Sequence, residues 1–230
     1  MKRQAIFGPI RTQETLKDSA ARLLSEKILS GQIRPGERLN ESDLSRQLHI
    51  SRAPIREALQ HLLEQGLVVN ITRRGMFVVS LDRQDIDKIN RLRVVLEAEA
   101  LRQARHLAKP ADIQRVDKLI GKMEKMKPSP TSEVVRIDFE LHRTIWKIAG
   151  NEYLDRMLTS LTSPLFAHSM LALLRAEKQR MVLDSHRPLF EFLQGKTKDS
   201  AEKVISTHIN FGWSDFLATF PDVGEPAYQS

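Results

Sequence analysis

The chain has 230 residues, 41% of them hydrophobic, and no cysteine; it can build one large or two modest cores, and disulfides, thiolate metal sites and cysteine nucleophiles are excluded. Its net charge of +7 is uneven, because residues 1–83 hold 14 Lys and Arg against 9 Asp and Glu, which leaves +2 for the longer remainder. A basic front third suits a polyanion-binding module, since each neutralised phosphate releases condensed counterions.

Residues 1–12 read as a leader. From Thr15 to Ser30 the apolar positions Leu16, Ala20, Leu23, Leu24, Ile28 and Leu29 recur at helical spacing, and "SGQIRPGERL" ends that helix with Gly31, Pro35 and Gly36. Asn40 is placed to cap a second helix over 41–48. After the turn "HIS", Ser51 is placed to cap a third, whose Ile55, Ala58, Leu59, Leu62 and Leu63 form a stripe that Gly66 ends. "GLVVNITRRGMFVVSL" then reads as a β-hairpin around "TRRG", with Gly75 supplying a positive φ. These elements make a winged helix-turn-helix. Asp82 is a plausible N-cap, and beyond it the pattern is helical over 83–108, 111–126, 132–149, 151–174 with a break at Pro164, 177–194 and 198–217.

The fold class read from this pattern is mainly α: a winged helix-turn-helix over residues 1–82, an all-helical bundle over 83–220, and a tail over 221–230. In a helix-turn-helix the second helix presents its N-terminal turn to base edges, so polar and basic residues belong there. "SRAPIREAL" meets that demand: Arg52 and Arg56 lie one turn apart beside the buried stripe. Ser51 and the free N–H groups of the helix start can hold a phosphate. Arg73 and Arg74 at the wing tip can reach a neighbouring groove or the backbone. Ordinary surface charge is the competing reading of these arginines.

The motifs "PGERLNESDL", "SRAPIREAL" and "RRGMFV", within residues 15–80, resemble the DNA-binding domain of the GntR family of bacterial transcription regulators. The resemblance implies DNA contacts from Ser51, Arg52, Ala53 and Arg56 on the recognition helix and from Arg74 and Gly75 in the wing. It also implies a homodimer on a palindromic operator in double-stranded DNA. Where some relatives carry a further basic residue early in the second helix, this chain has Ser42.

Within the helical part, "RIDFELHRTIW" places Asp138 and His142 one turn apart, inside a stripe with Val134, Leu141, Ile145 and Ala149. His186 is spaced helically with Val182, Leu183, Leu189, Phe190 and Leu193, and His208 with Ala201, Val204, Ile205, Phe211 and Gly212. Any one of these is satisfied as a core histidine. Together, a buried acid and three inward imidazoles are awkward unless a divalent cation collects them. His49, His61 and His106 fit no such pattern and read as surface or turn residues.

"LRVVLEAEALRQA", "DFELHRTIWKIAGNEYL" and "SHRPLFEFLQGKTKDSAEKVISTHI" resemble the FCD domain, the effector-binding domain of the FadR-like branch of the same family. That resemblance implies a six-helix domain in which Asp138, His142, His186 and His208 coordinate a metal, with Leu141 where "FH" is usual. It also implies a small organic acid as effector, bound at the remaining coordination positions. Zn, Ni, Mn and Fe all suit such ligands. Arg93 could bind the acid, or simply pair with Glu97 one turn on; Asn151 and His168 could line the cavity, or serve as a cap and a core residue.

The expected function is therefore a ligand-responsive, DNA-binding transcriptional repressor with a divalent metal and a small carboxylate effector. The alternatives are a regulator for which the ion itself is the signal, a purely structural ion, and a metal-dependent enzyme. Against the enzyme stand the absence of a nucleophile motif and of a phosphate-binding glycine loop. The start "MKRQAIFGPI" lacks a signal peptide's apolar run, and no segment approaches the roughly 20 apolar residues that span a bilayer, so no membrane contact and a cytoplasmic location are expected.

Overall fold

A computed structural model describes residues 15–126, 132–174 and 185–219, with side chains over 15–126, 133–166 and 185–210. The elements in chain order are α1 (Leu16–Leu29), β1 (Arg38–Leu39), α2 (Glu41–Leu48), α3 (Arg52–Glu64), β2 (Val68–Ile71), β3 (Gly75–Val78), α4 (Arg83–Leu107), α5 (Pro110–Lys125), α6 (Ser132–Ile148), α7 (Glu152–Leu174), α8 (Arg187–Leu193) and α9 (Ala201–Thr219). The molecule is mainly helical, with its small sheet confined to the N-terminal winged helix-turn-helix.

Local chemistry sets most boundaries of the head. Asn40 Oδ1 accepts from the backbone N–H groups of Ser42 and Asp43, and Asp82 forms a reciprocal capping box with Asp85. His49 ends α2 in the left-handed region at φ 54°, which sets the turn into α3. Ser51 is the N-cap residue of α3, but its hydroxyl makes no cap hydrogen bond, so the helix start keeps its N–H groups uncapped by that side chain. Ile55, Ala58, Leu59 and Leu62 on α3 are buried against Ala20, Ala21, Leu24 and Ile28 on α1.

The hairpin is present, with Ile71 opposite Gly75 and Val68 opposite Val78. Gly75 has φ 99°, and Arg73 in the turn is left-handed as well. The sheet has a third strand that the sequence pattern does not announce: β1 pairs antiparallel with β3, Leu39 opposite Met76, giving the order β1-β3-β2. Two residues are too few to carry an alternation, so β1 exists because β3 offers an open edge.

Six helices follow the wing among the described residues, and a second core forms between them from residues such as Leu101, Ile120, Met123, Leu141, Trp146 and Leu189. Two expected features differ. Helix α7 runs unbroken through Pro164 rather than breaking there. Its neighbourhood compensates: Thr162–Phe166 are all buried, and the Thr162 and Ser163 hydroxyls donate to the carbonyls of Leu158 and Thr159.

His186 is buried with Leu189, Phe190 and Leu193, but the expected helix over 177–194 is, where described, only α8, with His186 as its N-cap residue. Pro188 explains this, since proline is favoured in the first turn of a helix and restricts the residue before it. Val182 and Leu183, on which the stripe rested, lie outside the described residues.

The two cores meet. Helix α1 packs on α6 and α7, and a small cluster of Leu81, Ile86, Ile89 and Leu165 ties the end of the wing to α4 and α7.

Candidate metal centre and nucleic-acid interface

Asp138 and His142 come from one face of α6, His186 from the start of α8 and His208 from α9. The three histidines bring one ring nitrogen each within 4.8 Å of one another. Asp138 and His142 are 2% exposed and His186 1%, while His208 is half-buried.

Two of the imidazoles are held from behind. His142 Nδ1 lies 2.9 Å from Glu97 Oε2, and His208 Nδ1 lies 3.2 Å from Ser185 Oγ and 3.3 Å from the Ser185 carbonyl. Their Nε2 atoms then face each other across 3.1 Å. Asp138 Oδ1 sits 2.7 Å from His186 Nε2 and 3.6 Å from His142 Nε2. Despite that crowding, Oδ1 is a buried acceptor with no hydrogen bond among the described residues.

This donor set fits a divalent cation. Ligand atoms bound at roughly 2.1 Å to one ion stand about 3–4 Å apart; the contacts here run from 2.7 to 3.6 Å with the three ring nitrogens within 4.8 Å, and an outer acceptor on Nδ1 is the usual support of a ligating histidine. Protonation favours the same role. Burial, with His186 and His142 close by, holds the His208 imidazole well below its ordinary pKa. Burial alone would raise the Asp138 carboxyl, but His186, then His142 and His208, outweigh it and leave the pKa lowered. A neutral His208 imidazole and an ionised Asp138 carboxylate are the ligand forms of those two groups.

The centre has a second tier that sequence reasoning only half saw. Arg93 Nε donates to Glu97 Oε1 at 2.7 Å and its Nη1 donates to Asn90 Oδ1 at 3.2 Å, all three side chains being buried. Burial would push the Glu97 carboxyl up, yet Arg93 and then His142 hold it far below the usual range. The Arg93–Glu97 pair is thus real, and its carboxylate also steadies a candidate ligand from another helix. The sequence signal was two opposite charges one turn apart on the inward face of α4.

Arg187, next to His186, carries no sequence signal that singles it out. Its guanidinium donates to Glu124 at 2.5–2.9 Å and to Asp117 at 3.1 Å, which fixes the start of α8 on α5 and with it the backbone of His186.

Of the other residues considered for an effector, Asn151 uses its Oδ1 to accept from the N–H groups of Tyr153 and Leu154 at the start of α7. His168 belongs to α7, but its side chain lies outside the described residues.

At the other end of the molecule, Ser51, Arg52, Ala53 and Arg56 are exposed on the first turns of α3. Arg56 reaches Glu41 across 3.3 Å at the surface, a contact worth little in water. Arg74 is exposed at the wing tip with its guanidinium 6.0 Å from the Phe77 ring, and the Arg38 guanidinium from β1 lies beside Gly75. A basic recognition helix and a basic wing on one small domain form a surface fitted to duplex DNA.

Comparison with known proteins agrees with both ends. The FCD domain family matches residues 88–211, and bacterial regulatory proteins of the gntR family match residues 16–78. The chain belongs to the GntR family. It is a DNA-binding transcriptional regulator with an FCD domain, and not an enzyme.

Among curated GntR regulators it is 28% identical over 189 residues to the uncharacterized HTH-type transcriptional regulator YdhC of Bacillus subtilis, covering 81% of this chain and 84% of that one. It is 26% identical over 190 residues to the Nta operon transcriptional regulator of Aminobacter aminovorans (82% and 89%). To the gluconate operon transcriptional repressor of Bacillus subtilis it is 25% identical over 194 residues (82% and 79%). Among solved structures, E. coli McbR/YncC superposes with a TM-score of 0.75 at 20% identity, over 90% of this chain and 99% of that one, and so supports the fold. No helix among the described residues is long and apolar enough to cross a membrane.

Proposed function

We propose that this regulator is a ligand-responsive repressor whose helical domain holds a divalent metal on Asp138, His142, His186 and His208, and that a small organic acid completes the coordination. The observation that carries the reading is the convergence of three imidazoles and one carboxylate oxygen at 2.7–3.6 Å contacts inside a buried core, two of the rings being fixed on outer acceptors. When bound, the metal supplies a Lewis-acidic anchor for a carboxylate. Arg93, engaged with Glu97 and Asn90, acts in this reading behind the centre.

Repression accords with the gluconate operon repressor among the relatives. Two copies on a palindromic operator would place two α3 helices in successive major grooves, contacting DNA through Ser51, Arg52, Ala53 and Arg56, with Arg74 and Gly75 of the wing alongside. The acid alters repression only if it binds the DNA-competent and DNA-incompetent states with different affinity.

Elemental analysis of untagged protein tests the metal, and a gel-shift titration with and without short hydroxy- and dicarboxylates tests the response. A metal-free protein with unaltered DNA affinity, or a loaded one that no acid affects, would remove the respective half of the proposal. Arg52→Ala and Arg56→Ala are each expected to weaken operator binding by ~1–3 kcal/mol, where the arginine reads a base with two hydrogen bonds. Both side chains are exposed, so circular dichroism and the unfolding midpoint should stay at their wild-type values.

A further inference from the structure

Helix α7 touches both ends of the molecule within two helical turns. At one point Phe166, buried, packs its ring 5.8 Å from the His142 ring and 5.8 Å from the Arg93 guanidinium. Six residues earlier, or ~9 Å along the axis, is Ser160. Its backbone carbonyl meets the head at Gly66, just past the C-terminal end of the recognition helix α3.

The fit there is close. A Cβ placed on Gly66 would lie 2.3 Å from the Ser160 carbonyl oxygen, 3.2 Å from its carbon and 3.3 Å from its Oγ, and Gly66 has φ +74°. Only glycine meets both demands without strain. The carbonyl is available for this seat because of Pro164. In an α-helix the Ser160 carbonyl would accept from the N–H of residue 164, and proline has none. The same proline that a sequence reading takes for a break therefore leaves the Ser160 carbonyl without its usual helical donor at the point where it abuts Gly66.

Between the two contacts the helix is clamped, Leu161 and Leu165 packing with Leu81, Ile86 and Ile89. A displacement of Phe166 must then move Ser160 with it, because packed interiors shift as units and do not deform continuously.

We propose that α7 couples the histidine centre to the recognition helix, with Phe166 as the contact at the centre and the proline-freed Ser160 carbonyl, seated on Gly66, as the contact at the head. This rests on the metal-and-acid reading above and adds the route by which loading of the centre reaches DNA. Coupling of this kind is reciprocal: the factor by which loading changes DNA affinity equals the factor by which DNA changes loading affinity.

The test uses the full chain and a duplex selected from a random library by the wild-type protein. Operator affinity is measured by fluorescence anisotropy on metal-stripped protein, and on protein loaded with Zn2+ and the carboxylate that shifts the wild type most. Pro164→Ala supplies the missing N–H to the Ser160 carbonyl and touches neither the ligands nor the DNA-reading face. Gly66→Ala drives a Cβ into that carbonyl from the other side.

Both variants are expected to bind Zn2+ as the wild type does in the absence of DNA, and to lose most of the fold-change in operator affinity on loading. Circular dichroism identifies any variant that has lost its fold, and alanine, the best helix former, makes Pro164→Ala the safer one. A folded Pro164→Ala protein that keeps the full wild-type fold-change overturns the coupling route and leaves the metal-and-acid reading intact. A wild type that shows no fold-change overturns the coupling route together with the acid-response half of that reading, whereas the metal half is decided by elemental analysis.

Discussion

Replacing Glu97 with alanine is expected to destabilise the protein by ~3–5 kcal/mol, because it strips a buried guanidinium of its carboxylate and leaves Arg93 charged in the core. The loss should be read as a lowered midpoint in urea unfolding with the slope unchanged. Glu97→Gln, which keeps the shape and one acceptor, should lose less. Glu97→Ala also removes the acceptor behind His142 Nδ1, so metal affinity should fall by ~10–100-fold even in the folded fraction. A cost under about 1 kcal/mol would mean that water reaches Arg93 and that the pair is not a buried element of the centre. An unchanged metal affinity would mean that His142 does not depend on Glu97 for its orientation.

The second large effect is expected at His186. His186→Ala removes a candidate ligand and leaves the Asp138 carboxylate, whose Oδ1 has no hydrogen bond among the described residues, facing a void. Metal binding measured by competition with a chromophoric chelator should weaken by more than the ~10–100-fold typical of a supporting residue. Because His186 caps a short helix anchored by Arg187 on Glu124 and Asp117, α8 itself should persist. Wild-type metal content in this variant would assign His186 to the core and reduce the centre to the other three side chains.

The DNA-binding head was legible because its signals are local. The Ile55–Ala58–Leu59–Leu62 stripe has the helical period, Asn40 and Asp82 announce helix starts, and Gly75 marks the hairpin. What the sequence hid depends on neighbours far along the chain. Strand β1 is two residues long and exists only against β3.

The helical domain divides in the same way. Asp138 and His142 were visible as a pair on one helix face, and His208 as an inward residue of another helix. His186 shares its burial with Leu189, Phe190 and Leu193 as the spacing indicates, while Pro188 in the first turn starts a short helix at its side. Glu97 read as half of an ordinary i,i+4 pair, and its reach to His142, 45 residues away, needs the packing of α4 on α6. Pro164 read as a breaker because propensity cannot weigh the burial that keeps α7 continuous around it.

Loading of the histidine centre is expected to change how tightly the head binds DNA. The most direct measurement is operator affinity at fixed salt for the wild type, metal-stripped and then loaded with metal and carboxylate, alongside His186→Ala treated the same way. The wild type should change by ~5–150-fold, the ordinary range of coupling between two sites, and the variant almost not at all. Equal affinities for stripped and loaded wild type, or an equal change in both proteins, would contradict that coupling.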